Sequence, residues 1–192
     1  MLLIGLVARA GEPGTNLVSI YLVDRPNAHP WPKLDTAHMK DLNIVAPPVL
    51  ADPDFVAFDS TNHTFVITAE AARRLARCIW QLGKKDAPGW GDSPAILPGG
   101  YTELIPTLAP FVIEAFGERV YAGAFYTSFS SHSFRGPVVL PEKGFISTNV
   151  AENANVSFSI QLGYPYTFEG TSDPRGDGRI ASAVQKLFAK AR

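Results

Sequence analysis

Along this chain apolar residues fall into short runs punctuated by Gly, Pro, Asn and Asp, interrupted by two stretches at helical spacing. Leu17 to Val23 (Leu-Val-Ser-Ile-Tyr-Leu-Val), bounded by Gly14 and Pro26, is β-rich and predicts a strand. Leu42 to Val45 predicts another short strand before Pro47-Pro48. Phe55 to Phe58 and Thr64 to Thr68 flank Asp59-Ser60-Thr61-Asn62-His63, the pattern of a hairpin with a longer loop. Phe111 to Ala115 and Arg119 to Tyr126 flank Phe116-Gly117-Glu118 and predict a second hairpin. Pro137 to Leu140 and Val156 to Leu162 continue the β pattern. In the latter, Val156, Phe158, Ile160 and Leu162 alternate with Ser157, Ser159 and Gln161, so one face turns to a core and one to solvent.

The first helical stretch opens at Thr68 as N-cap with Glu70 in the first turn, and Gly83 is its expected stop. Ala72, Leu75, Ala76 and Ile79 make the apolar stripe. Arg73, Arg74 and Arg77 lie away from it, with Glu70 placed to pair with Arg74 at i+4. The second helix closes the chain. Asp173 is its N-cap and Pro174 its N1 residue, or Gly176 and Gly178 delay the start and Asp177 caps. Ile180, Val184, Leu187 and Phe188 form its apolar side. Strands before and between two well-separated helices predict an α+β fold, a mostly antiparallel sheet with two main helices packed on it. Residues 11–192 read as one domain, without internal repeats or a linker.

Composition narrows the classes. At 192 residues the chain buries roughly 70% of its unfolded surface, enough for a core of its own. Seventeen basic residues against eighteen acidic ones argue against a dedicated nucleic-acid binder. The single cysteine, Cys78, excludes an internal disulfide and a multi-thiolate metal cluster. No apolar run reaches the ~18 residues that span a bilayer. Met1 to Ala10 is short and apolar and ends in Ala8-Arg9-Ala10, like a cleavage site, but lacks a basic n-region. It is either the remnant of a signal peptide or a first buried strand.

Candidate chemistry is sparse. Ser130 and Ser131 beside His132 could supply a nucleophile and a base for a serine-type hydrolase, but sequence neighbours in a strand point to opposite faces and no G-x-S-x-G elbow occurs. His29, His38, His63 and His132 share no metal spacing, and no metal or other cofactor is expected. Asp173, Asp177 and Gly178 faintly resemble a calcium loop, but Arg175 stands where a ligand should. Helix caps and ion pairs with Arg175 and Arg179 account for these carboxylates better. The long connection from Lys84 to Pro110 could be a lid with Trp90 and Tyr101 as contacts; plain loop turns are the simpler reading. Tyr121, Phe125, Tyr126, Phe129 and Phe134 crowd one segment, where an exposed strand edge could take an extended peptide; core packing is the competing reading. Asn62-His63-Thr64 and Asn155-Val156-Ser157 fit the glycosylation pattern, which is common by chance.

One resemblance bears on setting. The unit Phe65-Val66-Ile67-Thr68-Ala69-Glu70-Ala71-Ala72-Arg73-Arg74-Leu75, preceded by Pro48-Val49-Leu50 and Asp54-Phe55-Val56, resembles the periplasmic head of SecD/SecDF-type protein-export subunits. Phe111-Val112-Ile113 through Gly117-Glu118-Arg119-Val120-Tyr121-Ala122-Gly123 resembles that family's hairpin. The runs Gly136-Pro137-Val138, Gly163-Tyr164-Pro165 and Asp173-Pro174-Arg175-Gly176-Asp177 look closer still to small exported bacterial proteins related to that head. The resemblance implies a head-like α+β fold and a periplasmic or secreted setting, with a cytoplasmic one as the alternative. It implies no catalytic residue, and a translocation role would be analogy of fold alone. The β-rich pattern, the absence of catalytic motifs and the aromatic segment make the leading expectation a non-enzymatic extracytoplasmic binding or accessory domain for a peptide, protein or cell-envelope component, with a serine-type hydrolase using Ser130 or Ser131 with His132 as the alternative. The binding domain's candidate contacts are Trp90, Tyr101, Tyr121, Tyr126, Phe129 and Arg175.

Overall fold

The computed structural model of the protein describes residues 16–24, 34, 37–86, 96–97, 101–102, 109–126, 133–140, 155–167, 170 and 173–190. The strands are β1 (Val18–Leu22), β2 (Leu50–Ala51), β3 (Phe55–Asp59), β4 (Thr64–Ile67), β5 (Ile96–Leu97), β6 (Tyr101–Thr102), β7 (Ala109–Ala115), β8 (Glu118–Phe125), β9 (Phe134–Val139) and β10 (Val156–Tyr164). The helices are α1 (Ala69–Asp86) and α2 (Gly178–Lys190). The fold is α+β. Both predicted hairpins form, β3 with β4 and β7 with β8. Leu42 to Val45 is not a strand: Pro47 and Pro48 carry no N–H to extend a ladder, and pairing shrinks to one bridge between Ile44 and Val23.

Eight strands build one sheet in the order β2-β1-β7-β8-β9-β10-β4-β3, and β5 pairs with β6 apart from it. Laid flat, eight strands at about 4.8 Å spacing would put β2 and β3 roughly 34 Å apart. Only the 3₁₀ turn Asp52–Asp54 joins them, a reach of about 14 Å at most from Ala51 to Phe55. The sheet therefore curls until its terminal strands approach. Asp52 ties this seam to β1, its carboxylate accepting the Leu17 and Val18 N–H groups at 2.9 and 2.8 Å.

The inner face holds the main core. Val18, Ile20 and Leu22 of β1, Phe111 and Ile113 of β7, and Phe65, Phe158 and Ile160 pack with Leu75 and Ile79 of α1 and Ile180 and Val184 of α2. Each large apolar side chain so buried contributes roughly 1.5–3 kcal/mol. The α1 stripe runs on to buried Leu82, which is why the helix passes the expected stop at Gly83 and ends at Asp86. An interior glycine costs only about 1 kcal/mol. Thr68 caps α1 as expected, its Oγ1 accepting the Ala71 N–H at 3.2 Å.

β1, β7 and β8 are buried on both faces, which explains their unbroken apolar runs. The segment around Met39 and Leu42 covers their outer face, packing on Val112 and Ala122. One guanidinium nitrogen holds this strap down: Arg119 Nη1 donates to the carbonyls of Met39, Lys40 and Leu42 at 2.8, 3.1 and 2.9 Å.

The β7–β8 connection is tighter than predicted. Its two central residues, Phe116 and Gly117, have φ of 55° and 77°, as in a type I′ turn, and β8 starts at Glu118. Glycine adopts this backbone freely, whereas phenylalanine there costs about 1–2 kcal/mol. The Phe116 ring lies under Lys186 Nζ at 4.8 Å, a contact worth about 0.5–1 kcal/mol. Phe116→Asn is therefore expected to raise stability by roughly 0.5 kcal/mol, since asparagine tolerates positive φ. A lower urea midpoint would show that the ring contact outweighs the backbone strain.

The C-terminal helix takes the later of its two expected starts, because Asp173 and Pro174 open a separate 3₁₀ turn instead of α2. Asp173 caps the 3₁₀ turn Pro174–Gly176, its Oδ1 accepting the Arg175 N–H at 3.0 Å. Asp177 then caps α2, accepting the Arg179 N–H at 2.9 Å.

Candidate functional site

The aromatic segment does not form the expected edge. β8 lies between β7 and β9, in the interior of the sheet. Tyr121 is 2% exposed, Phe125 0% and Tyr126 6%. Tyr126 packs in a separate small cluster against Phe134 and Tyr164, with tilted rings whose centroids lie 5.9 and 5.1 Å away. Neither tyrosine offers a face to an incoming chain. Phe129, Trp90, Ser130, Ser131 and His132 lie outside the described residues, as do Met1 to Ala10 and most of the span from Lys84 to Pro110. Tyr101 belongs to β6, but its side chain is likewise outside the described set.

Arg175 is occupied by the fold. Its Nε and Nη2 engage Asp173 at 2.8 and 2.6 Å, and its Nη1 donates to the Ile160 carbonyl at 2.8 Å. This fork, with the parallel one between Arg179 and Asp177, is the expected network of ion pairs. The two arginines hold both carboxylates below the usual range, chiefly by hydrogen bonding. His63, with φ 48°, faces Asp173 and Arg175 from the β3–β4 turn; burial, then Arg175, lowers its pKa. Cys78 is half-buried on α1, and burial raises its thiol pKa, a chemically quiet setting.

The described surface does carry a cleft, which sequence reasoning missed. It opens where β3 begins and α1 starts, has a volume of about 590 Å³, and is lined by Pro53, Asp54, Thr68, Ala69, Glu70, Arg73, Arg74 and Asn155. That volume lies within the range of small-ligand sites. Asp54 is its fixed point. Its Oδ2 accepts the Ala51 N–H at 2.8 Å and the Arg74 guanidinium, and its carbonyl accepts the Thr68 N–H at 3.0 Å. Arg74 therefore leaves its expected partner Glu70 and turns to Asp54, with its Nε on the Val49 carbonyl at 3.2 Å. The pairing joins residues 20 apart in sequence, so helical spacing could not reveal it. The legible signals were Thr68, Glu70 and the Arg73-Arg74 pair, all at one helix start.

Chemically the cleft offers two guanidinium groups, two carboxylates, an amide and the first turn of a helix, groups that bind and orient polar ligands. It adjoins the end of the sheet. β3 is a terminal strand of the sheet, and no described strand pairs with its outer side. Val56, at a register irregularity in β3, is 40% exposed. Among the described residues no group of three or more His, Cys, Asp or Glu could hold a metal ion, and no helix is long and apolar enough to cross a membrane. The chain matches no family model, no curated protein and no solved structure.

Proposed function

We propose that this chain is a non-enzymatic binding domain that takes an extended peptide segment at the β3 edge, with one end of that segment in the cleft at the start of α1. The observation that carries the reading is continuity: Pro53 and Asp54, which line the cleft, lead directly into the terminal strand Phe55–Asp59, whose outer side pairs with no described strand. An open edge presents unpaired backbone donors and acceptors that an added strand satisfies, and a neighbouring polar cleft supplies specificity. The peptide-binding role envisaged for the aromatic segment thus moves to the other end of the sheet. The resemblance to SecD-type heads, which rests on sequence motifs alone, adds a periplasmic or secreted setting and a peptide or envelope protein as partner.

The test is selection of binders from a random peptide library, followed by amide chemical-shift mapping with the selected peptides. The expected perturbations centre on Asp54 to Asp59 and on the first turn of α1. Val56→Lys places a charge on the exposed edge without entering the core, and is expected to weaken binding at least tenfold at unchanged stability. Perturbations confined to another surface, or undiminished binding by the Val56→Lys variant, would overturn the reading.

A further inference from the structure

Tyr121 is the one residue among the candidate contacts whose burial creates a chemical problem. Its ring is 2% exposed and sits in the main core with Phe111, Phe125 and Phe158. Its hydroxyl has no hydrogen-bond partner among the described residues, although buried polar groups are almost always satisfied by protein or by ordered water. The phenol is not in wholly apolar surroundings. The turn that carries Arg175 packs against β8, and Arg175 Nη1 reaches in to the carbonyl of Ile160, a core neighbour of Tyr121; Arg175 and Asp173 are the charged groups that act on the phenol. Burial raises its pKa far above the phenol range, so the hydroxyl stays protonated and needs an acceptor.

Hydrogen-bonding capacity remains on that turn. A guanidinium carries five N–H groups, and three bonds account for the Arg175 side chain: two to Asp173 and one to the Ile160 carbonyl. Asp173 spends one oxygen on the Arg175 backbone and Nε and the other on Nη2, which leaves lone pairs on both. His63 of the β3–β4 turn stands beside the same pair, its carbonyl accepting the N–H of Ile160, whose own carbonyl accepts from Arg175. Because Asp173 neutralises Arg175, these surroundings do not select an anion. They suit a small neutral molecule able both to accept and to donate, with the two to four polar partners that a buried water requires.

We infer that Tyr121, Asp173 and Arg175 enclose an internal hydration site, in which a water molecule accepts the Tyr121 proton and bridges it to the Asp173–Arg175 fork. The site is separate from the cleft at α1 and independent of the peptide-binding reading. It links the centre of the sheet at β8 to the turn that launches α2, so that a polar contact fastens the C-terminal helix to the core from below.

The sign of one substitution tests this. Tyr121→Phe keeps the ring and deletes the hydroxyl. Loss of a bridged hydrogen bond is expected to lower the melting temperature by roughly 2–5 °C. An orphaned hydroxyl would give the opposite, because its removal relieves a desolvation penalty and raises the melting temperature. A high-resolution crystal structure of the wild-type protein supplies the second readout, independent of whether the variant folds. Ordered density is expected within about 3.2 Å of the Tyr121 oxygen and in reach of Asp173 or Arg175. A melting temperature unchanged or raised in the variant, or a hydroxyl without such density, overturns the inference.

Discussion

Gly123→Ala is expected to destabilise the protein by about 3 kcal/mol, the upper end of overpacking penalties, and Gly123→Val to prevent folding. A Cβ at this position would lie 2.5 Å from the Pro137 carbonyl oxygen and 2.6 Å from Phe111 Cζ. The two contacts differ in kind. The Phe111 ring can shift at modest cost, but the Pro137 oxygen belongs to the backbone of β9. That strand is locked by parallel pairing at Ala124 with Val138 and by antiparallel pairing of Leu162 with Pro137. Glycine is thus the residue that lets β8 and β9 approach in the middle of the curled sheet. Urea unfolding of Gly123→Ala with and without Phe111→Leu separates the contributions. The second change is expected to recover less than half of the loss, because the backbone clash remains. Near-complete recovery would show that the ring, not the strand, sets the requirement for glycine.

At the seam of the sheet, Asp54→Ala is expected to cost about 2–3 kcal/mol. The estimate combines a charge-assisted bond to the Ala51 N–H, worth about 1.5–3 kcal/mol, with a partly exposed ion pair to Arg74, worth up to about 1 kcal/mol. The Asp54 side chain is 12% exposed and that of Arg74 36%, so the pair is discounted for solvent while the backbone bond is not. Asp54→Asn keeps an acceptor for Ala51 and is expected to lose only about 1 kcal/mol. Arg74→Met in the Asp54→Ala background should be nearly silent, because the guanidinium has already lost its partner. Additive losses in that double-mutant cycle would show that Arg74 acts mainly through the Val49 carbonyl. Asp54→Ala also removes the fixed point of the cleft, so the proposed peptide binding at the β3 edge is expected to fall with it even under conditions where the variant is fully folded.

The elements most legible in the sequence were those decided by neighbours. Thr68 caps α1 because Ser, Thr and Asp side chains reach N–H groups two or three residues on, a local geometry that spacing alone reveals. The alternation of β10 and the Asp177 cap were readable for the same reason. Failures occurred where distant segments decide. Tyr121 and Tyr126 looked like candidate contacts because nothing local says that β7 and β9 flank β8 on both sides. Arg74 looked like the partner of Glu70, four residues away, until the seam brought Asp54 closer. Gly83 looked like a terminator because the burial of Leu82 beyond the main stripe depends on the sheet beneath it.

By itself the chain therefore determined its α+β class, most of its strands, both helices and their caps, all of which follow from periods of two and 3.6 residues and from side chains bonding to nearby backbone. Only the tertiary structure decided which strands are interior and which are edges. It also decided where charges pair across the seam and that a cleft opens at the start of α1. The physical reason is the curl of the sheet. A three-residue turn between the two terminal strands forces eight strands to bend round on themselves, and that closure, invisible in any local window, sets which side chains are buried and which stay exposed.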